Sequence, residues 1–258
     1  MEGVCLQSYL RPEPPDRLHP RLIAPTFRQG TWMIAEPSAP IGLLISGGLD
    51  SAILLGHLLH RGRTVQPLYV RAGLFWDAAE MAALDQLLAR LACPKLRPLV
   101  TFDMPLADIY ADHWSVTGRA VPDHRTPDES VYLPGRNALL LIKAAVWCEL
   151  NGISELALAP LGSNPFADAT SEFFRDFQAA LNRATGAKLS IIRPFADMHK
   201  RDVMALGHDL PLELTFSCIA PVDGRHCGAC NKCAERHEAF RIAGLPDRTA
   251  YAAGEPTR

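Results

Sequence analysis

The chain has 258 residues, 48% of them hydrophobic, which suits one large α/β domain, or one with a small appendage, able to bury a real core. Its 26 Lys+Arg against 28 Asp+Glu leave a formal charge of -2, so there is no global basic field to hold a nucleic-acid backbone, which argues against a free-standing nucleic-acid binder. No stretch approaches the roughly 18 consecutive apolar residues of a membrane span, and the first residues lack the basic-then-apolar pattern of a secretory signal, so a cytoplasmic protein is expected.

Residues 1–40 carry seven of the 21 prolines and show no sustained periodicity; they read as an irregular arm with one short strand around Thr31–Ala35. From Ile41 the pattern turns regular. The apolar run IGLLI ends in SGGLDS and opens a helix whose leucines at 54, 55, 58 and 59 recur at helical spacing up to Gly62. A second strand is expected at Val65–Val70, then a helix from Asp77 to about Ala92 with Asp77 and Glu80 at the spacing of a capping box, and a third strand at Leu96–Phe102. Residues 103–137 read as a long, mostly irregular lid or substrate loop, with a disordered insert as the alternative. Asn137 is placed to cap the apolar helix ALLLIKAAVWCEL. The strand SELALAP, the helix TSEFFRDFQAALNRAT with Gly186 behind it, the strand KLSIIRPF and a short helix to Gly207 complete the series. Strands alternating with helices predict a five-stranded parallel α/β sheet, Rossmann-like, with helices on both faces and ligands at the carboxyl ends of the strands. The expected divisions are 1–40, a nucleotide-binding unit over 41–210, and a cysteine-bearing segment over 211–258.

The sharpest element is Ser46-Gly47-Gly48-Leu49-Asp50-Ser51, set between a buried strand and a helix N-terminus. Glycines let backbone N–H groups close around an anion, the helix dipole adds partial positive charge, and the serine hydroxyls donate further. A pyrophosphate fits such a loop. Asp50 would repel bare phosphate, which implies a bridging magnesium ion. The Gly-Lys-Ser/Thr ending of a Walker A loop is missing. The hexapeptide instead resembles the SGGxDS signature of the PP-loop ATP-pyrophosphatases, which cleave ATP to AMP and pyrophosphate and share an adenine nucleotide alpha hydrolase-like fold.

Such chemistry needs positive groups against the leaving charge. Arg136, in Tyr132-Leu133-Pro134-Gly135-Arg136-Asn137, and Lys200, in RPFADMHKRDV, are the candidates for that clamp.

Of the seven cysteines, Cys5, Cys93 and Cys148 are scattered, while Cys218-x8-Cys227-x2-Cys230-x2-Cys233 gathers four thiols in a pattern that suits a metal site in a reducing compartment. Zinc is the natural occupant of four thiolates, and a closed site of this kind is structural. The Cys227–Cys233 run also resembles the start of a ferredoxin motif without its final Cys-Pro, a redox dithiol is a third reading, and His226 is a possible competing ligand.

The ordered set SGGLDS, YLPGRN, the lysine segment, and TFSC followed by HCGACNKCAER resembles the 7-cyano-7-deazaguanine synthase family over residues 41–240. The resemblance implies a homodimer that uses ATP with Mg2+, holds Zn2+ on Cys218, Cys227, Cys230 and Cys233, and binds nucleotide through residues 46–51, Arg136, Asn137 and Lys200. It also implies that a substrate carboxylate attacks ATP to give an acyl adenylate, which ammonia converts to an amide and a second adenylation to a nitrile. Two stretches depart from the family. The chain reads LYVRAGLFWDAAE where the family carries Tyr-Gly-Gln-basic-His, and LGSNPFADAT where it carries its deazapurine loop. The phosphate machinery therefore matches and the substrate wall differs, the pattern of a divergent relative. Asn164, Asp168, His113 and Trp114, with Asp123 and Asp128, are the candidates for substrate contact. Two other readings stand beside this one: adenylation of another carboxylate or of a tRNA base for thiolation, and a catalytically silent zinc-containing binding module.

Overall fold

The alternation of apolar runs and helical spacing resolves into a wound α/β sheet in the computed structural model, which describes residues 39–252. The strand expected around Thr31–Ala35 lies outside the described residues. β1 (Ile41–Leu44) leads through the glycine loop to α1 (Leu49–His60), β2 (Val65–Arg71) to α2 (Asp77–Arg90), and β3 (Val100–Asp103) to two single-turn helices, α3 (Ala107–Tyr110) and α4 (Trp114–Thr117). Then come α5 (Arg136–Leu150), β4 (Glu155–Ala157), α6 (Ser171–Thr185), β5 (Ser190–Ile192), α7 (Lys200–Leu206) and α8 (Asn231–Ala243). The strand order is β3-β2-β1-β4-β5, and every pairing is parallel. Because the order reverses between β1 and β4, the loops leaving those strands diverge and open a crevice at the carboxyl edge, where sheets of this kind bind ligands.

Period-two alternation sorts the layers. Ile41, Leu43 and Ile45 face a core shared with α1, α2, α7 and α8, whereas Leu44 turns to the opposite core, built on α5 and α6. The residue between them, Gly42, is where α5 comes closest to the sheet: a Cβ there would stand 2.8 Å from Cys148 Sγ. α1 carries buried side chains at Leu49, Ala52, Ile53, Leu54, Leu55, Leu58 and Leu59, so it reads as apolar nearly all round. Burial of each large side chain contributes about 1.5–3 kcal/mol.

Two local expectations change. Trp76, not Asp77, occupies the cap of α2. The Asp77 carboxylate instead accepts from Gly73 N at 2.7 Å and Leu74 N at 3.0 Å, stiffening the turn that ends β2, and the buried Glu80 carboxylate accepts from Tyr69 Oη rather than from the cap backbone. Asn137 is likewise not the cap of α5, a place taken by left-handed Gly135. Its N–H and side-chain amide donate to the Asp168 carboxylate and carbonyl, each at 3.0 Å, because a position already inside the helix has a free first-turn N–H to offer. Residues 103–137, read as mostly irregular, hold only single-turn helical elements before α5 yet pack against the body of the fold. Leu106, Val131 and Leu133 pack with Trp76, Phe216 and Ile219 into a third apolar cluster that includes Cys218, Cys230 and Cys233.

The close approach at Gly42 carries a test. Gly42→Ala is expected to destabilise the protein by about 1–3 kcal/mol in urea denaturation. Because Cys148 Sγ is the obstructing atom, the double variant G42A/C148A should lose less stability than the two single costs added together.

Candidate functional site

β1 ends by delivering its chain into the glycine loop. Gly47 adopts φ +77°, open to glycine at no cost, and a Cβ there would press to 3.3 Å from Leu84 Cβ. Gly48 caps α1 without any side-chain hydrogen bond, so the first-turn N–H groups remain available to an anion. The loop is braced from within by Ser51 Oγ, which donates to Gly48 O at 3.1 Å, and from outside by Phe216 N, which donates to Gly47 O at 2.8 Å. Ser46 Oγ lies 3.4 Å from both Ser51 Oγ and Gly48 N.

The loop forms one end of a cavity of about 360 Å³ at the switch between β1 and β4. Lys200, the first residue of α7, donates to both Asp50 carboxylate oxygens, at 2.8 and 2.9 Å. Burial pushes the Asp50 carboxyl above its ordinary range, and the Lys200 ammonium pulls it back.

Arg136 opens α5 on the opposite wall, and its buried Nε has no partner among the described residues. Its charge bears on Glu80 and Tyr69, whereas the charges bearing on Asp50 are Lys200, Glu235 and Lys232. Glu80 Oε2 accepts from Tyr69 Oη at 2.7 Å; burial raises the Glu80 carboxyl to about 7, with Arg136 opposing. Burial and the neighbouring Glu80 carboxylate also raise the Tyr69 hydroxyl.

The other sequence candidates divide. Trp114 lines the cavity, stacked on Trp76 with ring centroids 5.9 Å apart. Asn164 and Asp168 also line it; the former shapes its loop by accepting from Phe166 N at 3.0 Å, and the latter anchors Asn137 beside Arg136. His113 is outside the lining and caps α4, its Nδ1 accepting from Ser115 N at 3.3 Å. Asp123 and Asp128 sit against the cysteine segment instead, Asp123 bridging to Cys230 through the backbone and Asp128 accepting from Asn231 Nδ2 at 3.4 Å.

Sequence reasoning missed Tyr69, Trp76, Glu80, Lys232 and Glu235, all of which line the cavity. A signal for Glu80 was present: it falls in helical register with buried Leu84 and Leu87, an acidic group on an apolar face.

The four cysteine Sγ atoms lie within 4.8 Å of one another, with Cys218 and Cys230 at 3.8 Å and Cys227 and Cys233 at 3.9 Å. Four thiolates about 2.3 Å from one tetrahedral ion stand about 3.8 Å apart, so the set fits a single metal ion. Backbone N–H groups of Cys227 and Ala220 point at Cys218 Sγ, at 3.2 and 3.4 Å, which favours thiolate. His226 is turned away: its Nε2 accepts from Ser217 N at 3.1 Å, and burial pushes the imidazole down to about 3, leaving a neutral acceptor beside Phe216.

A family model described as "Queuosine biosynthesis protein QueC" matches residues 41–244, spanning the glycine loop, both clamp candidates and the cysteine cluster. The chain belongs to this family. Within it, a 7-cyano-7-deazaguanine synthase of Methylobacillus flagellatus is 32% identical over 223 residues, 81% of this chain and 95% of that protein. One from Dechloromonas aromatica is 33% identical over 223 residues, 82% of this chain and 97% of that protein. Identity at this level makes the chain a divergent QueC-family member.

Glu80 gives the site a measurable titration. A carboxyl whose pKa is raised from 4.5 to about 7 on folding leaves the native state holding more protons between those values, so its contribution to stability falls as pH rises through that window. Stability of wild type minus that of Glu80→Gln should decline with pH by roughly 1.4 kcal/mol per unit between pH 5 and 7 and level off above. A difference flat with pH in urea titrations would show that Glu80 ionises normally.

Proposed function

We propose that the chain is an ATP-dependent ligase that adenylates a substrate carboxylate, releases AMP and pyrophosphate, and couples the activated acid to ammonia; its relatives are named as synthases of 7-cyano-7-deazaguanine. The observation that carries this reading is the glycine loop, which opens an uncapped helix N-terminus into a cavity and sets Lys200 against Asp50 on the same side.

Loop N–H groups, the Ser46 and Ser51 hydroxyls and Lys200 would hold the nucleotide's polyphosphate. Asp50 is the carboxylate placed to hold magnesium, which when bound offsets phosphate charge. At the other end, Arg136 faces Glu80 and Tyr69 without pairing, so a planar substrate bearing both acceptors and N–H donors fits between them. The Trp76–Trp114 stack supplies a flat apolar wall beside it. Positioning and electrostatics do the catalytic work in this scheme: substrate oxygen and α-phosphorus are brought together while cations take up the developing charge.

Thiolation of a tRNA base fits less well. That chemistry needs a sulfur-carrying cysteine beside the nucleotide, and among the described residues no cysteine lines the cavity. The cysteine cluster is the place for Zn2+, since close-set sulfurs suit one ion better than a multi-iron cluster. An exposed apolar stripe on α5, formed by Ile142, Val146 and Leu150 at successive turns, supports a homodimer.

Incubation with MgATP, ammonium and 7-carboxy-7-deazaguanine should yield AMP, pyrophosphate and an amide or nitrile detectable by mass spectrometry, and Ser46→Ala should lower the rate at least about tenfold. Product formation without AMP release would end the proposal. Elemental analysis should find one zinc per chain, lost in Cys230→Ser; iron, or no metal, would refute the zinc assignment.

A further inference from the structure

Four charged side chains from three helices run in a row along one wall of the cavity, and two of them come from the cysteine segment. Lys200 Nζ is 2.8 Å from Asp50 Oδ1 and 3.8 Å from Glu235 Oε1, and the other Glu235 oxygen lies 2.5 Å from Lys232 Nζ. The row therefore alternates in sign: Asp50, Lys200, Glu235, Lys232. Lys232 and Glu235 sit one turn apart on α8, so they share a face. That face is turned to the same cavity as the glycine loop, since all four residues line it.

Lys232 stands between Cys230 and Cys233, yet its side chain has no part in the thiolate cluster. Nor is an ordinary surface ion pair a sufficient account of it. Exposed Lys–Glu pairs contribute little, whereas this one adjoins the Asp50–Lys200 pair, whose side chains are only 26% and 18% exposed, and its charges reach Asp50. Two ammonium groups on one narrow wall repel; Glu235 lies between them and holds both near the loop while no anion is there. A lysine has a flexible stem and three donors, so it can leave a carboxylate for a phosphate without movement of its helix.

We propose that Lys232 contacts the β- and γ-phosphates of the nucleotide and the pyrophosphate that departs, so that the helix of the cysteine knuckle supplies a second lysine to the cationic clamp beside Lys200. The proposal rests on the nucleotide reading above. In this arrangement the metal centre is not a remote staple. It fixes the start of α8, where Cys230 is the cap and Lys232 the second helical residue, and so fixes a phosphate ligand.

Isothermal titration of the full-length, metal-loaded protein with inorganic pyrophosphate plus magnesium, and separately with AMP, tests this. Lys232→Met should weaken pyrophosphate binding about tenfold or more, the loss expected for one hydrogen bond to a charged group, while AMP binding and metal content stay as in wild type. Lys232→Arg should restore most of the affinity. Unchanged pyrophosphate affinity in K232M, or equal losses for pyrophosphate and AMP, would overturn the proposal. If K232M does not fold, Glu235→Gln decides: freeing both lysines should tighten pyrophosphate binding several-fold, and no change or a weakening would count against the clamp. Failure of wild type to bind either MgATP or pyrophosphate would instead remove the nucleotide reading itself.

Discussion

The hydrogen bond from Phe216 N to Gly47 O, at 2.8 Å, joins the two parts of this protein that carry chemistry. On one side of it a glycine at φ +77° turns the end of β1 away from the sheet and leaves the N-terminus of α1 bare. On the other, Phe216 stands two residues before Cys218, the first thiol of the cluster. The segment Leu212–Ser217, one 3-10 turn over Leu212–Leu214 followed by irregular chain, could not hold that position unaided, because it belongs to no sheet. Arg236, 1% exposed, holds it from behind: Nη2 donates to Leu212 O at 2.7 Å and Nη1 to Thr215 Oγ1 at 2.8 Å, while Nε reaches Thr249 Oγ1 at 2.7 Å. A buried guanidinium is tolerated only when its donors are used, and here they tie three separate segments together.

The cavity consequently has two electrostatic ends with different origins. Near the loop, charges are paired and alternate, so the wall is close to neutral while retaining mobile cations. Near Arg136 they are not paired. The Arg136 charge bears on Glu80 without an ion pair, Nε of the former has no partner among the described residues, and burial raises the carboxyl of the latter to about 7. An unsatisfied buried donor costs free energy that an acceptor from a ligand would return, which is why the proposed function sets the substrate at this end.

The sequence was most legible where one residue's role is local. The glycine loop, the alternating strands and the thiol spacing each announce themselves within a dozen residues, because backbone conformation, pleat and tetrahedral geometry impose short-range patterns. Caps were misread at Asp77 and Asn137 for different reasons: the Asp77 carboxylate serves the turn just before its helix, at Gly73 and Leu74, while Asn137 bonds to a loop brought up only by tertiary folding, at Asp168. Glu80 and Tyr69 are eleven residues apart and meet only because β2 and α2 pack together. Lys232 was hidden differently, in plain view inside a motif whose cysteines explained the segment without it.

The stretch Leu161–Thr170 combines two functions that can vary independently. Asp168 receives the first-turn N–H of α5 through Asn137, and so positions Arg136 by way of the helix rather than by touching it. Phe166, two residues earlier, packs on Tyr132 at 5.0 Å and only helps shape the cavity wall. A change at Phe166 or Asn164 alters what fits against the wall and leaves the head of α5 anchored. A change at Asp168 releases a buried N–H and disturbs Arg136 whatever the ligand. Divergence in substrate preference is therefore expected to accumulate at the aromatic and amide positions of this loop, with a carboxylate kept at its end.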